Sequence, residues 1–157
     1  GKPYMVFCHE WTQIQNGTVC YARLSEDFSR FETEPKVLFA GADYEFVSAY
    51  TGGNGGYVTD GPFFYRTMDN ELLLTWSSFG EKGYFVSVMK SDNGEIDGNW
   101  IAQPLLFEED GGHGMLFKTF EGELRFVFHT PNGPAGFERA VIYNIKEKDG
   151  SIVLENR

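Results

Sequence analysis

The chain has only two cysteines in 157 residues, no apolar run near eighteen residues, and 13 basic side chains against 23 acidic ones. Each shortage removes a class of protein. Without a long apolar run there is no pattern for a membrane-spanning helix and none for a signal peptide. A formal net charge of −10 leaves no clustered positive field of the kind that nucleic acid or an anionic membrane surface requires. A neutral polymer such as a polysaccharide is compatible with that acidity. Cys8 and Cys20 form no CxxC pair and belong to no His/Cys cluster, so no zinc motif is present. They lie in consecutive predicted strands, where two packed free thiols are the default and a disulfide is the alternative. No segment carries a helical period, and almost no helix is expected.

Glycine (19 residues) and aromatic residues (17%) are plentiful. Short runs of strand formers are predicted near 3–10, 18–24, 36–40, 61–66, 71–78, 84–90, 103–107, 113–119, 123–129, 138–145 and 151–155. Between them stand turn pairs such as Asn16-Gly17, Asp69-Asn70, Asn93-Gly94, Glu121-Gly122, Asn132-Gly133 and Asp149-Gly150, which tolerate positive φ or bond their own backbone. The segments 1–10, 70–79 and 122–131 share a turn residue, a charge, a strand-forming run and a polar end. Repeats at such spacing indicate a propeller or an array. Units are placed at about 1–42, 56–109 and 111–157, with the stretch 43–56 as a long inserted loop. The first unit has three strands where a blade has four, so its innermost strand is missing. The fold expected is all-β, an incomplete β-propeller of about three four-stranded blades. Open sheet edges call for either upstream sequence or a second copy of the chain, a homodimer completing the propeller.

Two motifs carry the chemistry. Thr59-Asp60-Gly61-Pro62-Phe63-Phe64-Tyr65 and Gly112-His113-Gly114 each place a reactive side chain at the mouth of an apolar strand. In order and spacing they resemble glycoside hydrolase family 43, five-bladed β-propeller enzymes that act by inversion on arabinose- and xylose-containing polysaccharides such as arabinan and xylan. The resemblance runs over nearly the whole chain, as the C-terminal part of such a propeller. It aligns Asp60 with the family's general acid, ordinarily a glutamate, and His113 with an axial histidine that holds water or a calcium ion. The family's general base and its second aspartate have no counterpart, both lying upstream of this chain's first residue. A secreted or periplasmic location and a carbohydrate substrate follow from the same resemblance.

Inverting hydrolysis uses two carboxyl groups roughly 6.5–9.5 Å apart. The chain offers Asp60 and Glu10 as catalytic candidates. Asp60 is read as the acid, as a sugar-binding carboxylate, or as an ordinary turn aspartate; Glu10 as an acid, a sugar contact, or a solvated charge. His9, Trp11, Trp76 and His129 are the candidate substrate-binding residues, with Phe46 and Phe79 as further rings at strand ends or in loops, because sugar C–H faces stack on aromatic surfaces. Trp100 reads as outer-strand packing. The stretch 92–97 reads as a hairpin rather than a calcium loop, and Glu108, Glu109 and Asp110 as a solvated acidic loop. The reading is a family 43-like glycosidase of the arabinofuranosidase or xylosidase type, present as a fragment. The alternative is a non-catalytic carbohydrate-binding or inactive propeller fragment that self-associates.

Overall fold

A computed structural model describes residues 1–52 and 55–155. Three antiparallel sheets follow one another along the chain. The first contains β1 (Tyr4–His9), β2 (Thr18–Arg23) and β3 (Lys36–Ala40) in that order. The middle sheet runs β4 (Asp60–Arg66), β5 (Leu72–Gly80), β6 (Gly83–Ser91) and β7 (Trp100–Ala102). The last runs β8 (Gly112–Lys118), β9 (Leu124–Thr130), β10 (Arg139–Lys148) and β11 (Ser151–Glu155). Among the described residues the helices are α1 (Trp11–Ile14) and one 3-10 turn (Gly41–Asp43).

Every strand pairs with its chain neighbour, the meander of a propeller blade. The period-2 alternation of side chains decides how the sheets stack. Leu72, Leu74 and Trp76 of β5 pack with Val19 and Phe39 of the first sheet, while Leu73 faces the other way and packs with Leu116, Phe126 and Phe128 of the last. The middle sheet is therefore buried on both faces, which is why Leu72, Leu73 and Leu74 of β5 are apolar in succession. Each fully buried large side chain contributes about 1.5–3 kcal/mol. A polar clamp joins the middle and last sheets: Glu147 accepts a hydrogen bond from the Tyr65 hydroxyl and another from the Met68 amide at 2.9 Å.

One expectation changes here, and the default reading of the cysteines holds. The outermost strand of the middle sheet lies at 100–102 rather than 103–107, Trp100 pairing with Ser91 and Ile101 with Lys90. Pro104 has no amide to give, so beyond Gln103 the chain keeps only scattered bonds to Val86. Cys8 and Cys20 are free thiols. Cys8 pairs with Val19 and Cys20 with Phe7, which turns the two sulfurs to opposite faces of the sheet. The inserted loop folds back on the middle sheet, the Ser48 amide bonding the Phe79 carbonyl at 2.8 Å; its residues 53 and 54 lie outside the described part.

The middle and last sheets repeat at fifty-two residues. Asn70 and Gly122 both have positive φ in the hairpin after the inner strand, and so do Gly61 and His113, at 54° and 55°. In this frame Gly112 is the counterpart of Asp60. His113 falls on the position of Gly61, one residue further into the strand.

Candidate active site

The inner strands β4 and β8 both begin with a bulge. Asp60 pairs with Ser77, but the next register partner is Phe63 with Thr75, so Gly61 and Pro62 together oppose one residue of β5. The chemistry of the bulge explains the motif. Gly61 supplies the positive φ, and a side chain there would meet the His113 ring, whose Cδ2 lies 3.1 Å from where its Cβ would stand. Pro62 sits where the ladder needs no amide. In β8 the same jump occurs between Gly112, paired with His129, and Met115. His113 holds the left-handed conformation without being glycine, a strain of about 1–3 kcal/mol that persists only where the surroundings enforce it. The enforcing contact is a 2.8 Å hydrogen bond from the His113 amide to the Ser77 hydroxyl.

Asp60 is half-buried at this end of β4. The hydroxyl of Tyr84, from β6, donates to its Oδ2 at 2.9 Å. Burial pushes the Asp60 carboxyl above its ordinary range; the Tyr84 hydrogen bond and His113 oppose that, Glu10 adds to it, and the net direction is upward. Tyr84 is itself buried, and burial together with the Asp60 charge holds its phenol far above the usual value, so it stays a donor. Its ring fills the space that a Cβ on Gly112 would need, 2.5 Å from Cε1.

The first sheet brings two more groups to Asp60. Glu10 follows the last residue of β1 and precedes α1. Its Oε2 accepts from Thr12 Oγ1 at 3.2 Å, and its Oε1 accepts from the Cys8 thiol at 3.7 Å. Cys8 Sγ and carboxylate oxygens of Glu10 and Asp60 lie within 4.8 Å of one another. Burial, then the negative charges of Glu10 and Asp60, push the Cys8 thiol up to about 11. A relay of rings reaches the Asp60 partner Tyr84 from both sides: Trp11 to Tyr50 at 5.6 Å, Tyr50 to Phe79 at 4.6 Å, Phe79 to Tyr84 at 4.9 Å and Tyr84 to His129 at 5.7 Å.

The sequence-predicted residues divide accordingly. Asp60, Glu10, Trp11, Phe79, His113 and His129 share one end of the sheets, His129 holding Asn132 Oδ1 at 2.9 Å. Trp76 does not join them: it is 0% exposed, packed against Phe39 and Phe85 between the first two sheets. It stands one residue beyond the Asp60 partner Ser77, so alternation turns it into the core. Phe46 likewise leans on Tyr44 and Phe85 in the inserted loop. His9, exposed at the end of β1, alternates away from Cys8 and Glu10. The Glu10 and Asp60 oxygens also stand closer than an inverting pair requires. Asp110, expected in a solvated loop, is a structural acceptor, its Oδ2 receiving the Asn132 amide at 3.1 Å and the Gly133 amide at 3.2 Å. His113 belongs to no group of three His, Cys, Asp or Glu donors among the described residues; a calcium ion beside it would draw its six to eight oxygen ligands from other groups.

Sequence reasoning missed Tyr84 and Cys8. The second-strand segments contain a signal for Cys8, because at the spacings of the repeat Cys8, Ser77 and His129 occupy the same position in three successive sheets. Tyr84 had no such signal.

Three meandering antiparallel sheets in succession define part of a β-propeller, with Asp60, Glu10, Cys8 and Tyr84 brought together where the first two sheets meet. No protein-family model and no curated protein matches the chain. Solved structures do. An endo-arabinase from Bacteroides thetaiotaomicron superposes with a TM-score of 0.88 at 37% identity, over 96% of this chain and 54% of that one. A thermostable family-43 glycoside hydrolase matches at 0.79 and 17% identity over 100% and 55%. An endo-1,4-beta-xylanase from the same Bacteroides species matches at 0.72 and 19% identity, also over 100% and 55%. The resemblance to glycoside hydrolase family 43 thus holds along the chain, which spans about half the length of these structures.

Proposed function

We propose that this chain is the acid-bearing part of a glycoside hydrolase acting on arabinose- or xylose-containing polysaccharides, with Asp60 as the proton donor. The observation that carries this reading is the placement of Asp60: a half-buried carboxyl at the start of an inner strand, hydrogen-bonded by Tyr84, where burial pushes it above the ordinary carboxylate range. A general acid must be protonated at working pH and must reach the leaving oxygen. Glu10, beside it, disfavours ionisation of Asp60 by like charge. In an inverting reaction the water-activating carboxylate stands on the opposite side of the sugar, and Glu10 is too close to Asp60 for that part. The base therefore comes from outside these residues. Trp11 and His129 flank the acid on the ring relay and offer stacking surface for the sugar. An ion at the axis would need oxygen donors beyond His113.

The proximity of Glu10 and Asp60 also favours a second statement: the 157-residue chain alone binds sugar without turnover. The test measures hydrolysis of aryl α-L-arabinofuranoside and aryl β-D-xyloside, together with calorimetric binding of the matching oligosaccharides. In a protein carrying the remaining blades, Asp60→Asn is expected to lower turnover of substrates with poor leaving groups by about 10²–10⁴-fold. Full activity of that variant on the oligosaccharides, whose leaving groups are poor, sinks the assignment of Asp60. Turnover by the isolated chain sinks the assignment of the base.

A further inference from the structure

The group Cys8, Glu10 and Asp60 combines a thiol with two carboxylates, from two different sheets, around one point. We propose that it is a binding site for a thiophilic divalent cation of the zinc class, and that occupancy shuts the acid site. The binding half stands on geometry alone; the inhibitory half rests on the assignment of Asp60 as acid.

The donor set selects the ion. A cysteine sulfur with carboxylate oxygens matches the ligands of zinc and cadmium, whereas calcium and magnesium take oxygen alone. One sulfur and two oxygens leave a fourth tetrahedral position for water. The three ligand atoms already lie within 4.8 Å of one another, so side-chain rotation without movement of β1 or β4 brings them to a common ion. Glu10 is preset for this, one oxygen held by Thr12 and the other facing the Cys8 sulfur. The geometry of β1 also explains why Cys8 is available. It shares the sheet position of Ser77 and His129, whose side chains face the axial end, while Cys20 is turned away and 4% exposed. On binding, a sulfur–metal bond forms and the thiol proton leaves to solvent. The Asp60 carboxylate becomes a ligand, any proton it held leaving to solvent with that of the thiol, and its oxygen is no longer free to meet a leaving group.

Cadmium and zinc titrations of the intact chain test the binding half, read by calorimetry and, for cadmium, by the ultraviolet thiolate-to-metal charge-transfer band. The expected result is one ion per chain with a charge-transfer band that is lost in Cys8→Ser and kept in Cys20→Ser. Glu10→Gln should weaken binding at least about tenfold. No saturable binding to the folded chain, or a band that survives Cys8→Ser, overturns the proposal. For the inhibitory half, zinc should block hydrolysis in a protein carrying the remaining blades and lose its effect in Cys8→Ser, which leaves Asp60 in place. Equal zinc inhibition in that variant overturns the inhibitory half and leaves the Asp60 assignment untouched. Absence of binding to the folded chain removes the metal site and likewise leaves the Asp60 assignment untouched.

Discussion

Tyr84 decides the state of Asp60 more than any other single side chain. It donates a hydrogen bond to a partly buried carboxylate, and such bonds are worth about 1.5–3 kcal/mol. Removing the hydroxyl in Tyr84→Phe takes away the interaction that favours the ionised form, so the Asp60 carboxyl should titrate still higher. A carboxyl-resolved NMR titration would register the shift; an unchanged midpoint would mean the bond is not made in solution. The sign of the stability effect follows from the same carboxyl. Its folded value is above its unfolded one, so its favourable contribution is complete below the unfolded value near 3.9 and is lost as pH rises through the folded value. Asp60→Asn should therefore stabilise the chain against urea at neutral pH and have little effect at strongly acidic pH. A loss of stability at neutral pH would contradict the burial of Asp60. Gly112→Ala reaches the same pair by crowding: its Cβ would stand 2.5 Å from the Tyr84 ring and 2.8 Å from Ser77 Oγ. A cost of about 1–3 kcal/mol in denaturant unfolding is expected.

At the scale of elements, the paired bulges are what aim the site. Gly61 in β4 and His113 in β8 take the same left-handed conformation fifty-two residues apart, and the His113 ring lies over Gly61. A side chain at Gly61 meets both a strained region of φ and that ring. Gly61→Ala should cost about 1–2 kcal/mol from φ alone and displace His113. His113→Gly, by contrast, relieves strain while leaving the bulge in place. Unfolding curves should separate the two, the first variant less stable than the parent and the second equal to it or better. The legibility of these elements was uneven. The turn pairs and apolar runs located ten of the eleven strands, whereas Asp60-Gly61-Pro62 read in sequence only as a turn and its bulge came from the pairing register. The outer strand of the middle sheet went astray because Leu105 to Phe107 are apolar in sequence, yet Pro104 severs the ladder and Trp100 takes the edge position instead. Trp76 was misread for a related reason: nothing in a run of strand formers says which parity faces the core when both faces are covered.

For the whole molecule, the middle sheet is covered on both sides and the other two on one side only. Tyr4, Met5, Phe28 and Phe31 are exposed on the first sheet and its loop, and Met115, Phe137 and Ile142 on the last sheet and its hairpin. Exposed apolar side chains on the two outer sheets are suited to contact with further blades or a second copy. The isolated chain is expected to self-associate, with an apparent mass in light scattering that grows with concentration. A monodisperse monomer at high concentration would count against association through these faces.

The residues alone determined the β class, the strand meander, the three-sheet repeat and the likeness to family 43, since these depend on alternation, turn chemistry and motifs that are local in the chain. Tertiary structure decided which chemistry meets. Cys8 and Glu10 arrive from the first sheet, Asp60 from the inner strand of the second and Tyr84 from its third strand, contacts between residues separated by 24 to 76 positions in the sequence. No local pattern encodes such a meeting, because it depends on how one sheet stacks on the next and on two bulges that set the register at the axis.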